Sequence, residues 1–330
     1  VEKSFYEPTN PDCASINAAI DAAVLAGGGH VQLPAAVYSP NDFIRMKPNV
    51  HLSGTRGASI IRLTSAMDDQ PVIWAPNSTL VSISDLTIDA GDIYAGPNSG
   101  AIGLGPGHGA SVKGVEILRM GRMGIVAHGI NDFDLSNNYI KRDAALHTLN
   151  NGIQIINGLV SGQGRVKNNR IVNTGSIYNV YQTLIEGNNV SGAGYGAGIA
   201  LVGADTSAYN RVVNNLCCGS VGQDADGFWV KGIENWSALS YFSGNQTNYN
   251  SGSGFCQGGW HGVINGHHSI GNGINEPPGI GVLIAFSAAY AGHGTFVNGC
   301  VTQNMNGKQN QNFWVQPGLF DVTQGVNYWG

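Results

Sequence analysis

A short unit recurs along this chain, and recurrence of this kind leaves few folds open. After residue 97 each copy opens with a small residue and an apolar run: GAIGL (100–104), GIVAH (124–128), GIQII (152–156), SIYNV (176–180), GIALV (198–202), GFWVK (227–231), GFCQG (254–258) and GVLIA (281–285). Successive starts lie 22 to 29 residues apart. A second element follows within the units, as LSNNYI, VKNNRI, EGNNVS, VVNNLC and SGNQTN, and places asparagine at one recurrent position. One such unit cannot bury its own apolar face, whereas stacked units share a continuous core. The pattern therefore predicts an all-β solenoid, each coil one strand spacing, about 4.8 Å, above the last. Equivalent asparagines then bond along the stack, and Asn138, Asn169, Asn189 and Asn215 are expected to form that ladder.

Composition agrees with many short strands and tight turns. The 330 residues include 49 glycines, far above the usual ~7%, without the G-X-Y period or the proline of collagen. Charged residues make up 11% and the net charge is -5. No basic stripe exists, so nucleic acid is not an expected partner. No apolar run is long enough for a membrane span, and the opening VEKSFYEP lacks a signal-peptide pattern. The cysteines, Cys13, Cys217, Cys218, Cys256 and Cys300, are odd in number with two adjacent, which reads as free thiols rather than a disulfide framework. No Cys-x-x-Cys or His-x-x-x-His spacing suggests a metal, and no cofactor is required by the sequence.

The N-terminal stretch DCASINAAIDAAVLAGGGHVQLPAAVY (12–38) has a different rhythm. Ile16, Ala19, Ile20, Ala23 and Val24 recur at helical spacing, Asp12 suits an N-cap and Gly27–Gly29 stop the helix before the strand HVQLP. This Ala/Ile helix, Gly-Gly-Gly stop and Val-x-Leu-Pro strand resemble the opening of the pectate-lyase-like superfamily of secreted and viral polysaccharide enzymes. Ala36 stands where glycine is common there. The resemblance implies a right-handed parallel β-helix with a short N-terminal capping helix. It does not name the reaction, because lyases, hydrolases, epimerases and fructotransferases share the scaffold. We expect one β-helix domain over 1–330, with the capping helix and first strand in 12–40, regular coils in 98–305 and a cap or subunit-contact tail in 306–330. The resemblance places such a chain outside the cell or on a virion surface.

Alternation along the strands sorts their side chains. Ile125, Ile153, Ile199, Phe228 and Phe255 are expected inward; one outward column is expected to hold Val126, Gln154, Tyr178, Ala200, Trp229 and Cys256, the next His128, Ile156, Val180, Val202, Lys231 and Gly258. Counted from the glycine opening each unit, Asp205 and Glu234 occupy the same place on consecutive coils, which predicts carboxylates roughly 5 Å apart. Such a pair suits a retaining glycosidase, with Asp224 or Asp226 orienting it and Trp229 and Trp260 holding sugar rings. The same pair suits calcium, and Asp226 before Gly227 also suits a plain turn.

The leading expectation is hydrolysis of a long polysaccharide by Asp205 and Glu234, with Gln154, Tyr178, Lys231 and His128 lining the groove. His128 and Lys231 are expected about 19 Å apart, four coil steps, so they cannot serve one atom. A lyase or C5-epimerase acting on a uronate polymer is the first alternative, with His128 or Lys231 central; VAHGIND (126–132) is a loose likeness to the sites of such enzymes, since Val126 stands where a carboxylate is wanted. A glycan-binding fibre or adhesin without catalysis, and a fructan-type transferase, are further alternatives. The apolar stretch around Ile156, Val180 and Val202 suits either a sugar groove or a homotrimer contact.

Overall fold

The computed structural model describes residues 5–65, 70–91, 93, 100–143, 151–156, 162–193, 197–203, 207–220, 231–259, 261–272, 280–284, 295–303, 311–315 and 323–329. The chain divides into two compact units, Val1–Ile155 with Val160–Arg170, and Ile156–Leu159 with Ile171–Gly330. Each unit is a parallel β-helix whose coils contribute one strand to each of three sheets.

The first unit opens with the helix Cys13–Leu25, where the Asp12 side chain accepts the Ser15 N–H at 2.7 Å. Ile16, Ile20 and Ala23 are fully buried, so the helical stripe closes the end of the apolar core. Gly28 follows at φ 119°, and a Cβ there would lie 2.8 Å from the Asn49 carbonyl oxygen, so glycine is required at this exit.

A representative coil runs Gly100–Leu104 in sheet three, Ser111–Lys113 in sheet one and Glu116–Leu118 in sheet two, then returns to sheet three at Met123–His128. The register is in line: Ile102 pairs with Ile125, Val112 with Leu135 and Ile117 with Ile140. All six are fully buried, because period-two alternation turns every second side chain to the core. The coils start earlier than residue 98. Gly29–Gln32, Ala36–Tyr38 and Ile44–Arg45 already give one strand to each sheet.

The second unit repeats the plan. Gly175–Tyr178, Ala197–Leu201, Lys231–Asn235, Phe255–Gln257, Ile280–Ile284 and Gln311–Val315 are successive strands of its sheet three. The tail is thus another coil, with Thr323–Gln324 and Tyr328–Trp329 extending the other two sheets.

From Ser82–Ser84 through Phe296–Asn298 the corner between sheets one and two has a fixed length. Two residues separate Lys113 from Glu116, Ser136 from Tyr139, Val213 from Leu216 and Asn265 from His268. The first of the two takes a left-handed conformation, as Gly114, Asn137, Asn214 and Gly266 do. The second is the ladder residue. Asn138 donates its amide to Asn169 Oδ1 at 3.0 Å in the first unit. In the second, Asn188 donates to Asn215 at 2.9 Å and Asn215 to Asn245 at 3.0 Å. The ladder residue is therefore Asn188, 1% exposed, and not the expected Asn189, which is exposed. In EGNNVS the left-handed place is taken by Gly187, so the buried asparagine is the first of the pair. His267 continues the ladder position; it is buried, and burial pushes its imidazole down to about 3.

The connection from sheet two to sheet three varies instead. Two residues separate Val172 from Gly175, and twelve separate Cys218 from Lys231. None of the five cysteines is in a disulfide, and burial raises the Cys13 and Cys300 thiols to about 11.

Candidate functional site

The outer face of sheet three carries Lys231, Glu234, His128 and Gln154, the first two in a different register from the one expected. In the second unit Glu234 stands opposite Ala200 and Cys256, and Lys231 opposite Ala197. The strand that continues GIALV is therefore KGIEN, opened by Gly232, rather than GFWVK opened by Gly227. Both stretches read as a small residue followed by apolar ones. The long connection before Lys231 absorbs the difference, so counting from Gly227 misplaces the coil by five residues. Glu234 is thus out of the expected register with Asp205, which itself lies outside the described residues, as do Asp224, Asp226, Phe228, Trp229 and Trp260.

Glu234 accepts a hydrogen bond from Lys231 Nζ at 2.9 Å, with 15% and 14% of the two side chains exposed. The pair is a partly desolvated charge couple on the sheet surface, with the ammonium as the carboxylate's neighbour.

Tyr178 is not on the outer face. Gly175 opens its strand, so Ser176 pairs with Ile199 and Tyr178 with Leu201, one residue off the expected alignment. A slip of one exchanges the two faces. Tyr178 is fully buried, and burial pushes its phenol well up. Ile177 takes the outward place beside Ala200. Ala200, Cys256, Val180 and Gly258 are buried as well, so this part of the expected outward columns is closed to solvent.

In the first unit His128 and Gln154 occupy the outward strand positions that alternation gives them. His128 ends the strand Met123–His128 and is exposed. Gln154 is half-buried on the neighbouring strand Asn151–Ile156 and accepts from Asn151 Nδ2 at 3.2 Å. Asp132, exposed at φ 49°, lies in the turn that follows. Asp143, just past the sheet-two strand Tyr139–Lys141, is tied to Lys141 at 2.6 Å.

The same face holds a feature that the repeat count missed. Arg45, Trp74 and Gly103 share one outward column, followed by Val126. Phe43, Arg45, Met46, Lys47, Trp74 and Pro76 line a largely apolar recess of about 390 Å³. The Arg45 guanidinium stacks 4.5 Å above the Phe43 ring centroid. Gly103 provides the bed for the indole: a Cβ there would come within 2.6 Å of Trp74 Cε3. Arg45 meets Asp42 at 3.3 Å and Lys47 meets Asp21, both as exposed pairs. Exposed pairs of this kind contribute only ~0–1 kcal/mol, so a ligand carboxylate can replace the partner. The sequence signal was VIWAP (72–76), a strand with an outward tryptophan, which lies before the stretch where the recurrence is easy to see.

Among the described residues no three His, Cys, Asp or Glu side chains are grouped to hold a metal ion, and no helix is long and apolar enough to cross a membrane.

Two mannuronan C5-epimerases of Azotobacter vinelandii are similar to the chain in sequence. AlgE2 is 31% identical over 151 residues, covering 41% of this chain and 15% of that protein. AlgE4 is 31% identical over 151 residues, covering 41% of this chain and 27% of that protein. The match therefore spans only a minor part of the relatives' length. No family model matches the chain. Among solved structures, the A-module of the Azotobacter vinelandii mannuronan C-5 epimerase AlgE6 superposes with a TM-score of 0.66 at 17% identity, over 96% of this chain and 95% of that one. The Dettilon tailspike protein superposes with a TM-score of 0.72 at 16% identity, over 96% of this chain and 64% of that one. At these identities the likeness is one of fold.

Proposed function

We propose that this chain, which carries the right-handed parallel β-helix of the pectate-lyase-like superfamily, is an enzyme that acts on an acidic polysaccharide and inverts C5 of its uronate residues. The observation that carries the reading is the ledge of Arg45, Lys47 and Trp74 on the outer face of sheet three. Cations beside an indole are what a carboxylated sugar needs: charge for the carboxylate, a flat apolar surface for the ring. The sequence likeness to mannuronan C5-epimerases favours the same substrate class.

The chemistry follows from the substrate. The C5 hydrogen of a uronate is α to the carboxyl carbon, so neutralising the carboxylate makes its removal easier. A base takes the C5 proton, and the electron pair moves into the carboxylate. Return of a proton to the opposite face inverts C5 with no net change in composition. If the C4 oxygen leaves instead, the product is an unsaturated sugar and the chain breaks.

We assign the proton transfer in this unit to His128. It is an exposed imidazole on the outer face, and histidine is the side chain most often used as a general acid or base. It lies on the third strand after that of Arg45, about 14 Å along the stack, so the ledge binds one uronate of the polymer and the sugar that reacts over His128 and Gln154 is a different one. On this reading the protein works outside the cell or on a virion.

Incubation with polymannuronate in deuterated water, followed by NMR, tests the proposal. Deuterium at C5 together with inverted residues is expected, and His128→Gln should lower the rate by about 100-fold or more. New reducing ends with no deuterium at C5 would assign hydrolysis instead and overturn the reading. Far-ultraviolet absorbance from an unsaturated product would assign elimination.

A further inference from the structure

A second cationic groove lies on the outer face of sheet two in the first unit, away from the strands that carry the ledge. Glu116 and Tyr139 are paired on consecutive strands, and Arg170 opens the next strand of that sheet. Arg56 reaches in from the turn that follows Val50–Ser53. Its Cζ lies 5.9 Å from the Tyr139 ring centroid, and that of Arg170 lies 5.3 Å from the same centroid. Arg56 comes from a coil before Tyr139 and Arg170 from the coil after it, so one phenol carries a guanidinium from each direction along the stack. The groove between them measures about 450 Å³ and also takes in Asn137 and Asn168.

Three properties make this a ligand site rather than a surface ion cluster. A cation–π contact with one ring holds both guanidinium groups beside the groove without using up their N–H donors. The charges do not balance: Glu116 meets Arg56 at 3.6 Å and accepts from Thr87 Oγ1 at 3.0 Å, while Arg170 makes no ion pair among the described residues. The corner residues add amides. Asn137 and Asn168 hold left-handed φ angles of 59° and 54°, where Gly114, Gly187, Gly244 and Gly266 serve the same turn without a side chain. Asparagine costs a little more there than glycine and supplies a donor and an acceptor at the groove's rim.

We infer that this groove is a second binding site for acidic oligosaccharide, its carboxylates held by Arg56 and Arg170 and its hydroxyls by Asn137 and Asn168. A polymer anchored on sheet two stays with the protein while another of its segments reacts on sheet three. That consequence rests on the proposed function; the site itself does not.

Calorimetry on the full chain carrying Trp74→Ala, which weakens the ledge, isolates the groove. The probes are mannuronate hexamer, the neutral mannose hexamer and inorganic sulfate. The mannuronate hexamer is expected to bind the Trp74→Ala chain, the neutral hexamer is not, and sulfate is expected to compete only weakly. Adding Arg56→Gln and Arg170→Gln should weaken mannuronate binding by about ten-fold or more, with an unchanged melting temperature as the check on folding. Three results would each overturn the inference: no mannuronate binding in the Trp74→Ala chain, equal binding after both arginines are replaced, or full displacement by sulfate at the same concentration as the hexamer. The assay reads binding without turnover, so it stands even where no C5 exchange is found.

Discussion

Replacing Asn215 by alanine tests the ladder most directly. Its Oδ1 accepts both the main-chain N–H of Asn188, at 2.9 Å, and the Asn188 side-chain amide. Its Nδ2 donates to the Ile185 carbonyl at 3.0 Å, the Val213 carbonyl at 3.1 Å and Asn245 Oδ1 at 3.0 Å. At 1% exposure no water replaces these bonds without opening the coil. A buried polar group deprived of its partner costs about 1–3 kcal/mol. The Asn188 N–H loses its acceptor while the Ile185 carbonyl stays in the sheet ladder, which gives about 1–3 kcal/mol of destabilisation for Asn215→Ala. Asn189 is exposed and outside the ladder, so Asn189→Ala should change stability by no more than about 0.5 kcal/mol. Urea unfolding followed by far-ultraviolet circular dichroism measures both. A loss below about 1 kcal/mol for Asn215→Ala, or equal losses for the two variants, would refute the reasoning.

Three further outcomes are expected. Gly103→Ala should displace the Trp74 indole and weaken mannuronate-oligomer binding by about ten-fold, read by tryptophan fluorescence; unchanged affinity would remove Trp74 from the site. His267 is held neutral by burial, its pKa lowered from the ordinary 6.5 to about 3. An unfolded chain takes up the proton first, so His267 favours folding fully above pH 6.5 and loses about 1.4 kcal/mol per unit as pH falls toward 3; His267→Asn should flatten the urea midpoint across that window, and an unchanged slope would contradict it. Burial alone would raise the Asp89 carboxyl, but the hydrogen bond and charge of Arg119, the Gly91 amide and the charge of Arg62 outweigh it and hold the pKa below the carboxylate range. Arg119→Ala should therefore cost about 2 kcal/mol at neutral pH, and the gap to the parent chain in thermal melts should close as Asp89 is protonated below about pH 4.

The sheets were easier to read from sequence than the site, for a physical reason. A buried strand declares itself by alternation, and Ile125, Ile153, Ile199 and Phe255 all turn inward as their spacing predicts. A site on a solenoid depends on register between coils, which alternation alone does not fix. SIYNV was displaced by one residue and took Tyr178 to the wrong face; GFWVK was displaced by five and set Asp205 beside Glu234. In each case the connection entering sheet three has a length that no local residue announces. The ledge was missed for the opposite reason: Trp74 sits in an early coil whose partners, Arg45 and Gly103, are too dissimilar to look like copies.

The two-residue corner between sheets one and two has a consequence for how such a chain can change. Because the ladder re-indexes the path once per revolution, a residue's height on the axis does not depend on how many residues came before it. An insertion ahead of Lys231 lengthens a rim without shifting any later coil, as a stitch dropped and recovered within one row leaves the next row true. Rims beside the sheet that carries Arg45, Trp74 and His128 can thus be rewritten separately, and a new polymer specificity requires no renegotiation of the core.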